Sequence, residues 1–396
     1  MSGARPDKPL VAIACGGTGG HLFPGLAVAE KLAERRADVM LLISPKEVDQ
    51  QAVKSAIGME VVVLPAVGLT RGRVFKFVGG FLGAYRAAKT RFRSRPPQAV
   101  LAMGGFTSAP PVFAGRSLGA VSFLHDSNTI PGRANRLLAH FVDQAFVGFS
   151  EAAGLLHSAN VLATGTPVRP QFEAVHPAAC RVSLGLAADR PVLLVMGGSQ
   201  GAAGINDLVL KALPELLQKI PTLQVLHLSG IGEQAKVESA YEQLKIKAVI
   251  KPFLTEMELA LGAATVAVSR AGASTLAELA AMELPALLIP YPASADDHQF
   301  FNAKAFVDRG AARLLDQKAT TPTELAAQLQ KLLEDEAGTR EMKTRLKALH
   351  TPQAAELIAE KIMLLMQARG KWIGSAPAGG QRSSHEPLRH KQAVAI

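Results

Sequence analysis

A short pattern that occurs twice limits the possible folds of this chain more than any other part of the sequence. The pattern is an apolar run, a glycine-rich turn and a helical stretch; VAIACGGTGG begins at Val11 and VLLVMGGSQG begins at Val192. A buried strand that leads through a glycine turn into a helix is typical of the first unit of a doubly wound α/β domain, in which crossover helices join parallel strands. The chain is therefore predicted to fold into two such α/β domains.

The segments between and after these units alternate in the same way, which favours a parallel sheet in each half. In the first half, strands are predicted at 10–14, 39–43, 61–65, 99–103 and 121–124, and helices at 24–35, 81–95 and 133–140. In the second half, strands are predicted at 191–196, 224–228, 248–250, 266–269 and 286–289, and helices at 204–217, 274–282, 302–308, 323–335, 339–349 and 353–367. The predicted units are an N-terminal domain (1–166), a C-terminal domain (167–352), a helix that packs back on the N-terminal domain (353–368) and a disordered basic tail (369–396).

Composition excludes several classes of protein. The 396 residues are 48% apolar and 19% charged, which is too apolar for a disordered chain and sufficient for two cores. Two cysteines, Cys15 and Cys180, cannot form a disulfide framework or a cysteine-rich zinc site, and both are predicted to be buried. The apolar stretch 10–15 is too short for a signal peptide, and no apolar run of about 18 residues predicts a membrane-spanning helix. Aromatic residues make up 5% of the chain, which disfavours a module that stacks nucleic-acid bases.

Positive charge is concentrated in one part of the chain. The formal net charge is +10, and no acidic residue lies between Glu60 and Asp126. The basic residues of that segment are Arg71, Arg73, Lys76, Arg86, Lys89, Arg91, Arg93, Arg95 and Arg116. A basic surface attracts polyanions such as nucleic acid or anionic lipid, but a solvated basic face has the same composition. Charge alone leaves these alternatives open.

Three glycine-rich turns follow predicted strands, at 16–21, 104–108 and 197–201. Without a Cβ, the backbone N–H groups of such a turn can approach an anion closely, and the positive end of the following helix adds to the attraction. The first turn lacks the lysine of a P-loop, and no acidic residue near Ile43 could bind the ribose of a nicotinamide cofactor. Because the three turns end parallel strands, they would face one crevice, which predicts one ligand with several phosphates or two phosphorylated ligands. Tight packing of strand on helix is the alternative for any single turn.

Polar side chains surround the last predicted strands of the second half. Glu278 lies about one turn into a helix that Ser274 or its neighbour would cap, where a carboxylate could accept both hydroxyls of a ribose. An ordinary first-turn acid that interacts with the helix dipole would have the same position. The loop 292–303 is rich in amides, which suit sugar hydroxyls. This loop also contains an Asp-Asp pair, but adjacent acids usually point apart and no Asp-x-Asp occurs, so no metal site is predicted.

Six motifs together resemble those of the MurG family of bacterial glycosyltransferases, in the same order and spacing. They are GGTGGHLFPGLAVAEKL, MGGFTSAP, TPVR, MGGSQGA, SRAGASTLAELAA and DDHQFFNA, and the resemblance covers roughly residues 9–365. It implies the GT-B fold, in which two Rossmann-like doubly wound domains face a central cleft. It also implies an inverting transferase that moves N-acetylglucosamine from UDP-N-acetylglucosamine to undecaprenyl-pyrophosphoryl-MurNAc-pentapeptide (lipid I), giving lipid II and UDP.

The resemblance further implies roles for individual residues, with the donor on the C-terminal domain and the acceptor on the N-terminal domain. The implied donor contacts are Thr18, Gly19, Gly20, Asn128, Arg169, Ser199, Leu254, Ala273, Ser274, Thr275, Leu276, Ala277, Glu278, His298 and Gln299. The implied contacts of the acceptor pyrophosphate are Gly19, Gly104, Gly105 and Phe106. Among the donor contacts, Glu278 would bind the ribose, whereas Arg169 and Ser199 would bind the diphosphate.

The implied chemistry requires a general base. The donor sugar is α-linked and the lipid II product is β-linked by this resemblance, so one displacement inverts the anomeric carbon and a base removes the proton of the acceptor hydroxyl. The candidates are His21, because an imidazole titrates near neutral pH, and Asp126. The chain departs from the family at three places, where Asp126-Ser127 replaces Glu-Gln, Phe106 replaces a common Tyr and Thr166 replaces a common Asn. None of these changes removes a whole binding element, so activity is expected.

The segment 71–95 is predicted to bind a membrane surface. It is apolar, interrupted by glycine and flanked by basic residues, with no acidic residue nearby in the sequence. The residues expected to contact the membrane are Phe75, Phe77, Phe81, Arg91 and Arg93. Apolar insertion combined with attraction to anionic headgroups predicts a peripheral protein. The resemblance agrees with this and implies the cytoplasmic face of the inner membrane.

The expected partners are UDP-N-acetylglucosamine, lipid I and anionic membrane lipid, whereas no nucleic acid, cofactor or metal is expected and the oligomeric state is left open. Two other kinds of function remain. A UDP-N-acetylglucosamine 2-epimerase, or another GT-B nucleotide-sugar enzyme, would use the same cleft without needing the segment 71–95. A non-enzymatic polyanion-binding protein would explain the charge but not three glycine turns together with Glu278.

Overall fold

The computed structural model describes residues 8–17, 19–46, 49–50, 53, 56, 58–65, 74–105, 107–172, 175–198 and 201–372, without the side chains of 74–76. Thr18, Phe106, Ser199, the side chain of Phe75 and residues 373–396 lie outside this description, so what the sequence predicts for them stays a prediction. Within the described ranges, no helix is long and apolar enough to cross a membrane.

The described residues form two β-sheets covered by helices. The strands are β1 (Leu10–Ala14), β2 (Asp38–Ile43), β3 (Glu60–Val63), β4 (Ala99–Ala102), β5 (Val121–Asp126), β6 (Gln144–Val147), β7 (Val161–Ala163), β8 (Val192–Met196), β9 (Gln224–Leu228), β10 (Ala248–Lys251), β11 (Val266–Ser269), β12 (Ala286–Leu288) and β13 (Arg313–Leu314). The helices are α1 (Gly19–Glu34), α2 (Val74–Ser94), α3 (Ala109–Ser117), α4 (Arg133–Ala139), α5 (Pro177–Ser183), α6 (Ala203–Lys219), α7 (Gln234–Leu244), α8 (Met257–Ala263), α9 (Ala273–Ala281), α10 (His298–Val307), α11 (Pro322–Glu334), α12 (Glu336–Leu349) and α13 (Ala354–Ala368).

Both sheets have the strand order of a doubly wound domain. The first sheet has the order β3-β2-β1-β4-β5-β6-β7 and the second has the order β10-β9-β8-β11-β12-β13. Every neighbouring pair of strands is parallel. In each sheet the chain first winds to one side of its first strand and then crosses to the other, so a crevice opens beyond the carboxyl ends of β1 and β4, and of β8 and β11. The predicted fold class of two Rossmann-like domains is confirmed.

Strand β1 shows why the strand segments are continuous apolar runs. All of its residues are buried. Val11 and Ile13 pack into a core with α1 and α13, whereas Ala12 packs into the opposite core with Phe92 of α2. Alternate side chains of a strand point to opposite faces, so a strand that is covered on both faces needs an apolar residue at every position.

Helix α13 packs on the first sheet although it is last in the sequence. Ile358 and Ile362 are fully buried in the same core as Leu26 of α1, and Glu356 forms an ion pair with Arg35 at the end of α1. The two helices before α13 belong instead to the core of the second sheet. The chain therefore passes between the sheets twice.

The two passages between the sheets lie side by side. Gly165, in the first passage, has a φ of +84°, and a Cβ at this position would overlap the side chain of Thr351 in the second passage. Between these passages and α9 lies a cavity of about 300 Å³. Its wall includes the ion pair between Glu151 of the first domain and Arg309 of the second. We refer to it below as the hinge cavity.

Some helices begin earlier than the sequence patterns predict. Helix α1 begins at Gly19, so His21 lies in its first turn and Pro24 lies inside the helix. Helix α2 begins at Val74 instead of residue 81. Helix α3 was not predicted because its first turn is Ala-Pro-Pro; proline is tolerated there, since the first N–H groups of a helix have no partner within it.

Candidate active site

The first glycine turn, which joins β1 to α1, is held by polar groups from two neighbouring segments. A Cβ on Gly16 would overlap the backbone of Ser44, and Gly17 has a φ of +119°, so neither position suits an ordinary side chain. The N–H of Gly17 donates to Oδ2 of Asp49 at 2.7 Å, and the hydroxyl of Thr107 donates to the carbonyl of Gly16 at 2.8 Å. Asp49 is fully buried. No sequence pattern marked it, because it reaches the turn only through the pairing of β2 with β1.

The imidazole of His21 lies against the second glycine turn, which follows β4. A Cβ on Gly104 would lie 3.0 Å from Nε2 of His21, and a Cβ on Gly105 would lie 3.1 Å from its Cε1. Both glycines also have positive φ angles, of +115° and +77°. The structure therefore brings a predicted base into contact with the predicted acceptor cradle, and only glycine leaves room for the ring.

Burial lowers the pKa of His21 below its ordinary value of 6.5. The carboxylates of Asp126 and Asp49 oppose this effect, whereas the cation of Lys46 and His298 lower the pKa further. Since the effect of burial is the largest, the imidazole is neutral near pH 7 and can accept a proton.

Asp126, the second candidate base, is buried and its carboxylate is surrounded by donors. Oδ1 accepts from the backbone N and the Nδ2 of Asn128 at 2.9 and 3.1 Å, and Oδ2 accepts from the N of Gly132 at 3.0 Å and the Nδ2 of Asn135 at 2.7 Å. These four hydrogen bonds hold the loop after β5 in one shape. The geometry thus suits an organising role for Asp126 better than proton abstraction.

Asn302 of α10 joins the two domains at the base of the cleft. Its Oδ1 accepts from the N and the Oγ1 of Thr129 at 2.9 and 3.0 Å. Its Nδ2 donates to Oδ1 of Asn128 at 3.0 Å and to the carbonyl of Ala271 at 3.2 Å. Asn302 is fully buried. The amide of Asn128, predicted to contact the donor sugar, is therefore positioned by a residue of the opposite domain.

The N-terminus of α9 meets the N-terminus of α1 across the cleft. The hydroxyl of Ser274 donates to the carbonyl of Gly20 at 2.9 Å. In a regular helix this carbonyl would accept from the N–H of the residue four positions later, but that residue is Pro24, which has no N–H. Because Pro24 cannot donate to it, the carbonyl of Gly20 is free to accept a hydrogen bond from Ser274 of the C-terminal domain.

Arg169 lies in the cleft with two donor atoms that no described residue accepts from. Its side chain is 8% exposed, and its guanidinium carbon lies 4.6 Å from the ring centre of Phe23 and 5.3 Å from that of Phe172. The Nε and Nη2 atoms are buried and have no hydrogen-bond partner among the described residues. Buried donors of this kind are costly unless a ligand satisfies them, so the position favours an anion.

Glu278 of α9 has an unusual protonation equilibrium. Burial raises its pKa from 4.5 to about 7; the cation of Arg169 opposes this effect and the carboxylate of Glu258 adds to it. Perturbed carboxyl groups in clefts are frequent at functional sites. The predicted ribose-binding and diphosphate-binding groups are thus electrostatically coupled.

Asp296, the first residue of the acidic pair before α10, joins the two domains. Asp296 accepts from Arg133 at 2.5 Å and from Arg136 at 3.0 Å, both on α4 of the first domain. The hydrogen bond with Arg133 lowers the pKa of Asp296. In the part of the chain that the structure describes, no group of three or more His, Cys, Asp or Glu side chains is placed to hold a metal ion.

The predicted sugar-binding residues at the start of α10 also have internal contacts. Nδ1 of His298 donates to the carbonyl of Ala295 at 2.7 Å when it carries the proton. Oε1 of Gln299 accepts from the N of Tyr291 at 2.9 Å. These bonds fix both side chains at the edge of the cleft, near the residues of α9.

Two family models match the chain, one in each domain. The N-terminal domain model of glycosyltransferase family 28 matches residues 11–147, and the C-terminal domain model matches residues 192–358. The chain belongs to glycosyltransferase family 28. The matched ranges include His21, both N-terminal glycine turns and α9, whereas Arg169 lies between the two ranges.

The family 28 enzyme has relatives along nearly its whole length. The UDP-N-acetylglucosamine–N-acetylmuramyl-(pentapeptide) pyrophosphoryl-undecaprenol N-acetylglucosamine transferase of Anaeromyxobacter sp. (strain Fw109-5) is 34% identical, over 95% of this chain and 98% of that protein. The transferase of the same name from Xanthomonas campestris pv. campestris (strain B100) is 36% identical, over 98% of this chain and 88% of that protein.

Solved structures share the fold of the family 28 enzyme. Acinetobacter baumannii MurG matches with a TM-score of 0.68 and 26% identity, over 90% of this chain and 99% of that chain. A putative UDP-N-acetylglucosamine 2-epimerase from Listeria monocytogenes matches with a TM-score of 0.69 but 14% identity, over 91% of this chain and 97% of that chain. The second likeness concerns the fold alone.

Not every predicted donor residue of the family 28 enzyme faces the same space. Leu254 is half-buried against the core of the second sheet, and Leu276 is fully buried in that core. Ala273 and Ala277 line the hinge cavity, although they lie on the same helix as Glu278. Side chains of α9 therefore point to more than one region, as expected for consecutive positions of a helix.

An aromatic row crosses the first domain of the family 28 enzyme and includes two predicted membrane residues. Ring centres are 6.4 Å apart for Phe77 and Phe81, 6.3 Å for Phe81 and Phe113, and 5.4 Å for Phe113 and Phe141. Nearby on α2 and α4, Val78, Leu82 and Leu137 are exposed apolar side chains, with Leu137 64% exposed. We call these seven residues the apolar patch.

Although no acidic residue lies close to the basic run in the sequence, two acidic residues lie against its end in the structure. Arg91 donates to Glu60 of β3 through Nε at 2.7 Å and Nη2 at 2.5 Å. Arg95 pairs with Glu60 and with Asp38 of β2. Arg93 is exposed. The sequence separated these charges, but the parallel pairing of β2 and β3 brings their acids beneath the end of α2.

Proposed function

We propose that this chain transfers N-acetylglucosamine from UDP-N-acetylglucosamine to lipid I, with inversion at the anomeric carbon, giving lipid II and UDP. One observation carries this proposal. The neutral imidazole of His21, on the glycine turns of the first domain, lies in the same cleft as the cation of Arg169 and the carboxyl of Glu278. The curated relatives, which carry the name of this activity over nearly the whole chain, support it.

The donor would bind between Arg169 and α9. The unpartnered Nε and Nη2 of Arg169 and the positive end of α9 would neutralise the diphosphate. Glu278, when ionised, would accept from the ribose hydroxyls. The remaining predicted donor contacts, including Ser199 and Leu254, complete this proposal but rest on the motif resemblance alone.

The acceptor would bind over the two N-terminal glycine turns, which would receive its pyrophosphate. Its sugar hydroxyl attacks the anomeric carbon of the donor from the face opposite UDP, so a C–O bond forms as the C–O bond to the diphosphate breaks. The hydroxyl proton passes to the imidazole of His21. The electron pair of the broken bond leaves on UDP, whose charge Arg169 and α9 stabilise.

We assign the base to His21 and an organising role to Asp126. Both oxygens of Asp126 already accept two hydrogen bonds each from the loop that they hold, so neither is directed at an acceptor hydroxyl. Its negative charge lies near enough to raise the pKa of His21. Asp126 would therefore stabilise the imidazolium as the proton arrives.

Membrane association through the apolar patch is part of the same proposal. An acceptor with a long prenyl chain stays in the bilayer, so a surface that inserts apolar groups would bring the cleft to it. Among the described side chains of α2, Arg86 and Arg93 are exposed cations that would meet anionic lipid, whereas Arg91 is paired with Glu60. We place the protein at the cytoplasmic face of the inner membrane.

Incubation of the pure protein with UDP-N-acetylglucosamine, with and without lipid I, tests the function. Lipid II and UDP should form only with lipid I present, and the reaction should persist in EDTA. Conversion of the donor to its 2-epimer without an acceptor would favour the alternative enzyme class. If neither lipid II nor the 2-epimer forms, the protein has neither the transferase nor the epimerase activity.

A further inference from the structure

Lys46 lies on the first glycine turn from the side opposite the buried Asp49. It follows β2, the strand beside β1, and its Nζ donates to the carbonyl of Gly17 at 2.7 Å. The rest of its side chain is exposed. Asp49 holds the N–H of the same Gly17, and its Oδ2 also accepts from the hydroxyl of Ser44 at 2.5 Å. Gly17 is thus bound by Lys46 at its carbonyl and by Asp49 at its N–H.

This arrangement poses an electrostatic problem for a turn that receives an anion. A buried carboxylate next to the turn repels a pyrophosphate bound above it, and burial weakens the screening of that repulsion by solvent. The ammonium of Lys46 places an opposite charge on the same turn. An ammonium has three N–H donors, and the bond to Gly17 uses one of them.

We propose that Lys46 binds the pyrophosphate of the acceptor, with one N–H on the Gly17 carbonyl and the others available to phosphate oxygens over the two N-terminal glycine turns. This inference rests on the proposed function, which places the acceptor there. The ligand class is a pyrophosphate ester, and the same contacts would accept inorganic pyrophosphate. Lys46 would thereby offset the charge of Asp49 and orient the acceptor toward His21.

Lys46 also affects the pKa of His21, the proposed proton acceptor. The charged or titratable groups that act on His21 are Asp126 and Asp49, which raise its pKa, and Lys46 and His298, which lower it. Removal of the ammonium at Lys46 therefore shifts the pKa of His21 upward. A defect that merely loosened the turn would lower the rate without this upward shift.

Direct binding separates this proposal from the activity. Inorganic pyrophosphate is titrated calorimetrically into protein saturated with UDP, so that the donor diphosphate site is filled. Lys46→Met should weaken pyrophosphate binding about tenfold, the loss of one charge-assisted contact. Lys46→Arg keeps the charge and should remain within about threefold of the wild type. Lys219→Met, which removes an exposed lysine paired with Glu215 on α6, is the matched control.

Kinetics with lipid I supply the second readout. In Lys46→Met the KM for lipid I should rise about tenfold while the KM for UDP-N-acetylglucosamine is unchanged, and the acid limb of the kcat profile should move to higher pH. Equal pyrophosphate binding by wild type and Lys46→Met, no pyrophosphate binding by the wild type, or equal losses in the Met and Arg variants would overturn the proposal. Pyrophosphate binding that depends on Lys46 in a protein without transfer activity would refute the proposed function and leave the subsite standing.

Discussion

At the scale of single residues, burial has the same effect on the two central ionisable groups of the cleft. It lowers the pKa of the His21 imidazole and raises the pKa of the Glu278 carboxyl, because removing either group from water disfavours its charged form. The cleft residues are therefore less charged than their composition indicates. In the proposed reaction the substrates would bring charge to both residues, and the two pKa values would then set the pH dependence of proton transfer and of donor binding.

His21→Ala should lower kcat on the order of 10²–10⁴-fold while leaving the donor KM nearly unchanged, because the base acts in the transition state. In the wild type, the acid limb of kcat should lie below pH 6.5, since the pKa of His21 is lowered. Rates measured from pH 5 to 9 at saturating substrates check this. His176→Ala, at an exposed position before α5, should behave as wild type. Normal turnover by His21→Ala would reduce the imidazole to a structural contact of the glycine turn.

Glu278→Gln should weaken donor binding and make the folded protein more stable. In the wild type, kcat/KM for the donor should fall as the pH drops below about 7, because protonation removes the anionic acceptor for ribose; the variant should lack this dependence and bind the donor about 10- to 100-fold more weakly. The folded pKa is raised, so the unliganded protein loses stability as the pH rises from 4.5 through 7. At pH 8 the variant should therefore be more stable by about 1–3 kcal/mol.

Urea unfolding at pH 5.5 and pH 8 measures the stability part of the Glu278 prediction. Glu242→Gln, at an exposed position on α7, serves as the control and should show no such difference between the two pH values. If Glu278→Gln and wild type have the same stability at pH 8, the carboxyl of Glu278 is not desolvated in the folded protein.

At the scale of elements, the start of α1 is built to receive the other domain. Pro24 interrupts the regular hydrogen bonding of the helix, and Ser274 of α9 occupies the acceptor that this leaves on Gly20. The same helix start presents His21 to the second glycine turn. The irregularity at Pro24 thus serves the contact between domains, and the same helix start carries the proposed base.

Ser274→Ala should cost about 1 kcal/mol in stability in the wild-type background, because the Gly20 carbonyl loses its partner. In a Pro24→Ala background the penalty should shrink, since the restored N–H can bond to that carbonyl within the helix. A double-mutant cycle by urea unfolding gives the coupling between the two positions. Strictly additive effects would show that Pro24 does not determine the partner of Gly20.

The apolar patch and the exposed arginines of α2 should act together at a membrane. Phe81→Ser with Leu82→Ser should reduce binding to anionic liposomes without weakening UDP binding. Arg93→Glu should reduce liposome binding at least fivefold, because each basic residue near the surface contributes about 1 kcal/mol. This electrostatic contribution should weaken as the salt concentration rises. Arg91→Glu should instead destabilise the first domain, because it removes the partner of Glu60. If the wild type does not cosediment with anionic liposomes, the apolar patch does not bind membranes.

At the scale of the whole molecule, the cleft is closed by contacts from separate segments. Asn302 joins the loop after β5 to the second domain, Asp296 pairs with α4, and Arg309 pairs with Glu151 beside the hinge cavity. The ion pairs are exposed or partly exposed and contribute little each. The buried amide of Asn302 satisfies groups in both domains, so its loss leaves unpaired polar atoms in each.

Asn302→Ala should therefore weaken closure more than loss of either ion pair. We expect a donor KM about tenfold higher, from roughly 1.4 kcal/mol of lost interdomain bonding, with each domain still folded. Small-angle X-ray scattering should give a larger radius of gyration for the variant than for the wild type in the presence of UDP. Asn160→Ala, at an exposed position before β7, is the control. Unchanged scattering and KM would show that closure does not depend on this amide.

The sequence by itself determined the fold class and the glycine turns, because strand periodicity and glycine chemistry are local properties. The motif resemblance implied His21, Arg169 and Glu278 and the cleft that they share, but not the side chains that hold these residues in place. Local patterns contain no information on which distant side chains meet. The pairing of Asn302 with Asn128 and the burial of Asp49 under the first turn therefore appear only in the tertiary structure. The same reason explains the neutralisation of Arg91: Glu60 precedes it by 31 residues in the sequence, and only the packing of α2 against β3 places the two charges in contact.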